Sequence, residues 1–343
     1  VIRKMRSQQN GAASGALPLP AALDAAAPSP RRALIVGATA AGDALARDLT
    51  LRAPEPILPV AFADDDPTRL GDHLNDLPII NLDGDVTRRI AEGDIQIIFA
   101  GADRARWHHL PIPVYDAAAY YENAWHKIPS EFIDLEWFDG PGFLLLRNPV
   151  AETGKRVFDF VASALLLILC SPIYALVALA VKIDSPGPVF YHQKRTGKGG
   201  GVFKVHKFRS MRQDAEKFGT PQWASENDPR ITRVGNFLRK TRLDEIPQFW
   251  NVLKGEMSLI GPRPERPEFD DKLREQIPHY MTRYSVRPGI SGWAQVMYTY
   301  ASSVEDAREK LSYDLYYLKH GSPSLDLNIF LRTVQVALTG KGR

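Results

Sequence analysis

The chain has 343 residues, 44% of them hydrophobic and 24% charged, with 43 Lys+Arg against 40 Asp+Glu and a formal net charge of +3. These values exclude a wholly disordered chain and a polytopic membrane protein, and the length suggests two domains at roughly 100–200 residues each. A single cysteine, Cys170, excludes an intramolecular disulfide framework and a cysteine-built zinc site.

In chain order, residues 1–30 are rich in Ala, Pro and Ser and short of large apolar side chains, so they read as a flexible linker. Starting at Val1 rather than Met, the chain reads as a fragment or a processed form. Residues 31–148 change texture. Apolar runs at 33–36, 57–63, 78–81, 95–100 and 112–115 alternate with helical patterns, which predicts a parallel α/β sheet. The first run ends in Gly37-Ala38-Thr39-Ala40-Ala41-Gly42, and the second ends in three aspartates. That is the outline of a Rossmann-like dinucleotide-binding half-fold, except that Thr39 stands where the middle glycine would let a pyrophosphate approach. The turn reads either as a nucleotide site or as a fold kept without its ligand.

No charged residue falls between Phe160 and Val181, so 155–183 has the length of a membrane helix. Ser171-Pro172 sits at its centre and would break it. Basic residues flank both ends: Lys155 and Arg156 before, Lys182 after. A broken helix that enters and leaves by one face satisfies both flanks. A Pro-kinked span and a buried helix remain alternatives.

Residues 149–343 are basic, with 29 Lys+Arg against 20 Asp+Glu, whereas 31–148 carry 11 against 19. A basic half joined to an acidic half suggests separate jobs, the basic one facing phosphates or an anionic membrane. Strands are predicted at 189–193 and 202–208 around a Gly197–Gly201 loop, a helical stretch at 233–254, and an apolar helix at 325–338. Within 233–254, Asp244 and Glu245 follow Arg239, Lys240 and Arg242. On one continuous helix Lys240 would share a face with Asp244. Such a cluster is either surface ion pairing or a carboxylate nucleophile among phosphate-neutralising cations. Further cations follow the same theme: Lys207 and Arg209 on one side of a strand, Arg263 between Pro262 and Pro264, and Arg287 before Pro288-Gly289. Nucleic acid is not the expected partner, because no aromatic stacking platform accompanies the basic residues. A membrane segment beside a phosphate-binding face points to a lipid phosphate.

Over 155–343 the chain closely resembles the monotopic polyprenyl-phosphate phosphoglycosyl transferases, or bacterial sugar transferases. The matching segments are Lys155-Arg156 with Asp159, Ser171-Pro172, FKVHKFRSM (203–211), LRKTRLDEIPQFWNVLKGEMSLIGPRPE (238–265), VRPGISGWAQV (286–296) and YDLYYLKH (313–320). Residues 31–148 resemble the Rossmann-like, CoA-binding-like domain that precedes the catalytic domain in large members. Those members usually begin with several transmembrane helices, so the resemblance implies a truncated chain or a shorter variant.

The resemblance implies an α+β monotopic catalytic domain with a re-entrant helix, on the cytoplasmic face of a bacterial inner membrane. It implies transfer of a sugar-1-phosphate from a UDP-sugar to undecaprenyl phosphate with release of UMP, initiating a surface glycan or exopolysaccharide. Asp244 would be the nucleophile and a Mg²⁺ ligand, Glu245 its partner, and Arg239 the holder of the lipid phosphate. Arg263, Lys207, Arg209 and Arg287 would bind nucleotide phosphates. The sugar and the oligomeric state, a homodimer included, stay open. A non-catalytic, membrane-bound, nucleotide-sensing regulator is the alternative that loss of the acidic pair would have favoured.

Overall fold

The computed structural model describes residues 29–82, 84–101, 106–107, 109–133, 136–213, 215, 228–298 and 303–339. The linker expected over 1–30 lies outside the described residues apart from its last two positions.

The first part of the chain is built from β1 (Arg31–Val36), α1 (Ala40–Arg52), β2 (Ile57–Asp64), β3 (His73–Leu74), β4 (Leu77–Asn81), α2 (Gly84–Ala91), β5 (Ile97–Ala100), β6 (Val114–Asp116) and α3 (Ala117–Trp125). The strands form one sheet in the order β3-β4-β2-β1-β5-β6. Its apolar runs are continuous because both faces are covered. Ala33, Ile35 and Phe62 pack with Leu45 and Leu49 of α1 and Tyr121 of α3. Leu34, Ala61, Ala63 and Ile98 face the other way, onto Val86 of α2.

All pairings are parallel except β3 with β4, which amends the expectation of a parallel sheet. The reason is local. Asn75 and Asp76 both take positive φ, 48° and 68°, as the two central residues of a tight hairpin turn require.

The strand–turn–helix at Gly37 is closed by its own side chains. Asp64, at the end of β2, accepts from the Ala38 N–H at 2.9 Å. Arg69 pairs with Asp64 at 3.3 Å and donates to the Ala38 carbonyl. Thr39 caps α1 by accepting from the Gly42 N–H at 3.2 Å. Only Gly42 is required by packing, since a Cβ there would lie 2.2 Å from the Gly37 carbonyl oxygen.

After α4 (Leu144–Arg147) come α5 (Pro149–Leu169) and α6 (Ser171–Asp184), bent 61° to one another across Cys170. No single helix among the described residues is long and apolar enough to cross a membrane; this bent pair together has the length and composition. The break follows from Pro172, which cannot donate to the Ile168 carbonyl one turn earlier. The Ser171 hydroxyl takes that carbonyl instead, at 2.8 Å. The pair exposes much of its apolar surface, and on α5 the pattern is inverted relative to a soluble helix. Phe158, Val161, Leu165, Leu169, Leu176 and Leu179 are exposed, while the buried positions of α5 are Asp159 and Ser163. Asp159 accepts from the Ser258 hydroxyl at 2.7 Å and from the Leu259 N–H at 3.2 Å. Lys155 pairs with Asp326 at 2.5 Å, and Arg156 donates to the Val252 and Leu253 carbonyls.

The rest comprises a hairpin, β7 (Phe190–Thr196) with β8 (Val202–Phe208), then α7 (Arg233–Thr241), α8 (Gln248–Lys254), β9 (Ser258–Ile260), α9 (Pro267–Gln276), β10 (Gly289–Ser291), α10 (Trp293–Met297), α11 (Val304–His320) and α12 (Pro323–Leu338). The core runs along α11, where Leu311, Leu315 and Tyr317 meet Ile277, Tyr280 and Trp293. Ile128, Ile133 and Leu145 pack in this same core. On the side of α11 toward the large sheet, the buried Lys127 ammonium bridges Asp48 at 3.0 Å and Glu309 at 2.8 Å.

Candidate active site

The expected helix over 233–254 is not continuous. α7 stops at Thr241, Arg242 takes a left-handed conformation at φ 59°, and Leu243–Glu245 form a single 3-10 turn before α8. Pro247 accounts for this, since an unbroken helix would need its missing N–H to bond the Leu243 carbonyl. The break turns Asp244 and Glu245 inward, to 7% and 6% exposure. Lys240, which a continuous helix would have placed beside Asp244, is exposed.

Three cations converge on Glu245. Lys207 of β8 reaches it at 2.9 Å, Arg242 at 3.5 Å, and Arg263, on the Pro-flanked loop after β9, donates to it directly. Burial alone would raise the Glu245 pKa, but Arg263, Lys207 and Arg242 outweigh it and hold the carboxylate well below its usual range. Asp244 is different. Burial and the neighbouring charge of Glu245 push its pKa up to about 6, only partly offset by Lys207, Arg263 and Arg239. None of those cations forms an ion pair with Asp244 within 4.0 Å among the described residues. One carboxylate is thus locked as a charged strut, while its neighbour's charge is left poorly compensated.

Both acids line a cavity of about 370 Å³ with Lys207, Arg239, Arg242 and Arg263. Arg239, one of two last-turn cations of α7, makes no side-chain hydrogen bond or ion pair with another described residue. The cavity also takes in Arg195 and Arg266, which sequence reasoning did not single out. The signal was present: Tyr191, Gln193 and Arg195 alternate along β7, and Tyr191 is paired with Lys207, so all four lie on one face of the hairpin.

Two of the expected phosphate ligands also have protein partners, although Arg209 lines the Asp244 cavity as well. Arg209 lies just beyond β8, and its guanidinium donates to the carbonyls of Val181, Ser185 and Pro186, closing the end of α6. Strand alternation with Lys207 does not extend to it. Arg287 pairs with Glu152 at 3.0 Å and donates to the Gly255 carbonyl at 3.3 Å, beside Lys155 and Arg156 and away from the Asp244 cavity.

A divalent cation fits this donor set in one way. Among the described residues no group of three or more His, Cys, Asp or Glu could hold a metal alone. Asp244 is a buried carboxylate short of compensating charge in a cation-lined cavity. Mg²⁺ commonly binds through one or two carboxylates plus substrate phosphates, and Asp244 would be the protein ligand.

Known proteins match the same half of the chain. The family model for bacterial sugar transferases matches residues 150–340. A UDP-N-acetylgalactosamine-undecaprenyl-phosphate N-acetylgalactosaminephosphotransferase of Aeromonas hydrophila is 49% identical over 198 residues, 58% of this chain and 47% of that protein. A UDP-glucose:undecaprenyl-phosphate glucose-1-phosphate transferase of Escherichia coli is 45% identical over 183 residues, 52% of this chain and 39% of that protein. One of the same name from Caulobacter vibrioides is 44% identical over 203 residues, 58% of this chain and 74% of its own length. The chain thus spans less than half the length of the first two. With the acidic pair, its basic cavity and the bent helix pair all inside the matched region, the chain belongs to the bacterial sugar transferase family.

Proposed function

We propose that the chain transfers a sugar-1-phosphate from a UDP-sugar to undecaprenyl phosphate, releasing UMP, as an early step in building a surface polysaccharide. The observation that carries this is the split between Asp244 and Glu245. A buried carboxylate without an ion-pair partner, lining a cavity of cations, is suited to attack phosphorus, while its neighbour organises those cations. The named activities of the relatives support the same reaction class.

In the first step an Asp244 carboxylate oxygen attacks the phosphorus bearing the sugar. The bond from that phosphorus to the bridging oxygen breaks, and UMP leaves with the bonding pair. In the second step an oxygen of undecaprenyl phosphate attacks the same phosphorus and displaces the Asp244 carboxylate. Glu245 holds Lys207 and Arg263 where charge accumulates on the transferring group. Arg239 would hold the acceptor phosphate; its place in the lining of the Asp244 cavity supports this. Asp244 would be the protein residue that holds Mg²⁺, which would supply charge neutralisation.

The α5–α6 pair serves in this reading as a re-entrant hairpin in the cytoplasmic membrane. Its support is the exposed apolar surface of the pair and the Ser171 hydroxyl, which satisfies the carbonyl freed by Pro172 where no water would. The sheet of 31–116, in an order matching half of a doubly wound fold, is read as a Rossmann-like domain whose first turn is closed.

The test of the reaction is incubation of the chain in lipid nanodiscs with a panel of UDP-sugars, undecaprenyl phosphate and Mg²⁺. UMP release, with label from the sugar phosphate trapped on wild type but not on Asp244→Asn, is expected. Release of UDP would mean glycosyl transfer without phosphate and would sink the proposal. For the hairpin, single cysteines at the exposed Thr68 and Lys272 in a Cys170→Ala background should label equally in sealed inverted vesicles. Labelling of one alone until detergent is added would show a span.

A further inference from the structure

None of the side chains placed in the reaction comes from α11, yet a buried chain of contacts runs from α11 to the loop that carries Arg263. Pro262 and Pro264 strip that loop of N–H groups, so its carbonyls are the handles by which it is held. Four in a row are taken. Pro262 accepts from the Gly289 N–H at 2.9 Å, Arg263 from the Arg283 guanidinium at 3.1 Å, Pro264 from the Arg195 guanidinium at 3.1 Å, and Glu265 from the Thr196 N–H at 3.0 Å. From this fixed backbone the Arg263 side chain reaches Glu245 and donates to the Ile290 carbonyl at 3.3 Å.

Arg283 is itself held from several sides. It lies in a 3-10 stretch, Tyr280–Ser285, and is buried. Its guanidinium donates to the Tyr280 hydroxyl at 2.8 Å, and its central carbon lies 5.2 and 5.7 Å from the Tyr280 and Tyr284 ring centroids. Asp314 of α11, fully buried, pairs with it at 2.7 Å. A buried ion pair of this kind is a poor source of stability, because apolar side chains of similar volume commonly do as well or better. What apolar side chains cannot do is donate a hydrogen bond to the Arg263 carbonyl.

We infer that Arg283 and Asp314 are positioning residues for phosphoryl transfer: Arg283 fixes the backbone of Arg263, and Asp314 fixes Arg283, so that the Arg263 guanidinium stays aimed into the Asp244 cavity. This deepens the proposed reaction and rests on it for what Arg263 does there. Neither residue lines the cavity, and both act through the Arg263 carbonyl. Stabilising charge on a transferring phosphoryl group depends on donors already in place, and a displacement of about 1 Å can cost about 100-fold in rate.

The test uses the full chain in nanodiscs and a double-mutant cycle with Arg263→Ala, read as UMP release and as binding of inorganic pyrophosphate. Arg283→Lys keeps the charge but loses the fork. It should lower kcat/KM for the UDP-sugar about 10–100-fold, with most of the loss in kcat. Pyrophosphate binding should weaken about fivefold or more, as a charge-assisted hydrogen bond is lost. In the Arg263→Ala background the same substitution should change neither readout by more than about twofold, because the group it positions is gone. Asp314→Asn should act in the same direction and vanish in the same background. Arg283→Met combined with Asp314→Leu replaces the pair with apolar side chains, so thermal melts should stay close to wild type while turnover falls as it does in Arg283→Lys.

Equal losses for Arg283→Lys with and without Arg263 overturn the inference, as does a folded Arg283→Met/Asp314→Leu protein with wild-type turnover and pyrophosphate affinity. If the binding cycle shows coupling yet wild type releases UMP from no UDP-sugar, the positioning stands and the reaction falls. If wild type turns over and both cycles are additive, the reaction stands and the positioning falls. A wild type that neither binds pyrophosphate nor releases UMP overturns both.

Discussion

Two turns in this chain follow the same sequence logic, with backbone bent beside acid and cation, and they reach opposite outcomes. At Gly37 local groups satisfy one another: Asp64 takes the Ala38 N–H, Arg69 its carbonyl, and Thr39 the Gly42 N–H. At Asp244 the local groups do not cancel. Three cations share one carboxylate, Glu245, while Asp244 is buried without an ion pair and Arg239 keeps its donors. The lesson is that charge density alone does not mark a site. A site is where burial and geometry prevent charges from satisfying one another, so that a ligand can.

The largest effect should come from the unsatisfied side. Asp244→Asn should lower turnover by several orders of magnitude, because an amide cannot act as the nucleophile. It should also stabilise the fold. With its pKa raised to about 6, native Asp244 binds a proton more tightly than the unfolded chain does, so its ionisation costs stability as pH rises from about 4 to 6. Removing the charge should therefore raise stability at pH 7–8, by about 3 kcal/mol at most, and leave little difference near pH 4. Wild-type kcat/KM should fall below about pH 6 for the same reason. Thermal melts and a pH–rate profile check both; an Asp244→Asn protein less stable than wild type at pH 8 would contradict the assigned burial cost.

Glu245→Gln should do the reverse on stability. Its carboxylate pKa is held down, so its contribution is present above the ordinary carboxylate range and lost as pH falls. Removing it leaves Lys207, Arg242 and Arg263 facing one another, at a cost of about 3–5 kcal/mol by denaturant unfolding at pH 7. Arg239→Ala should spare stability but raise the KM for undecaprenyl phosphate by about 10–100-fold, the value of a charge-assisted hydrogen bond to phosphate. An unchanged KM for lipid would remove Arg239 from the acceptor's path.

The satisfied turn should behave as structure only. Asp64→Ala uncaps the Ala38 N–H and should cost about 1–3 kcal/mol with kcat within twofold of wild type. A larger catalytic loss would show that the turn communicates with Asp244. The smallest effect is expected at the helix break. Ser171→Ala leaves the Ile168 carbonyl without its 2.8 Å donor, for about 1 kcal/mol in a reconstituted unfolding assay.

How much was readable beforehand differs between these regions for physical reasons. The strands of the sheet, the β7–β8 hairpin and the 170–172 break follow from local rules: apolar runs, glycine loops and a proline. The Asn75-Asp76 hairpin turn carried its own signal and was passed over. The acidic pair was recognisable from its motif, but its conformation was not, because helical periodicity says nothing about the missing donor of Pro247 acting one turn upstream. The partners of Arg209 and Arg287 were not legible, because a basic residue's partner is set by tertiary neighbours. Nothing in FKVHKFRSM shows that the Arg209 guanidinium meets three carbonyls at the end of α6. Arg195 was missed because Glu265, which holds it, is 70 positions away.

The Lys127 ammonium, 2% exposed, has Asp48 on the sheet side and Glu309 on the α11 side. It acts as a suture shared by both halves, and it limits how freely those halves can be exchanged. A chimera joined at residue 148 that takes its first half from a relative must bring a cation that meets Glu309, or else leave that partly buried carboxylate unmatched in the seam. Grafts that retain Asp48, Lys127 and Glu309 as a set should assemble, whereas grafts that split the set should come apart at this seam first. In that sense the two halves were matched as a pair, and the unit of recombination is larger than either.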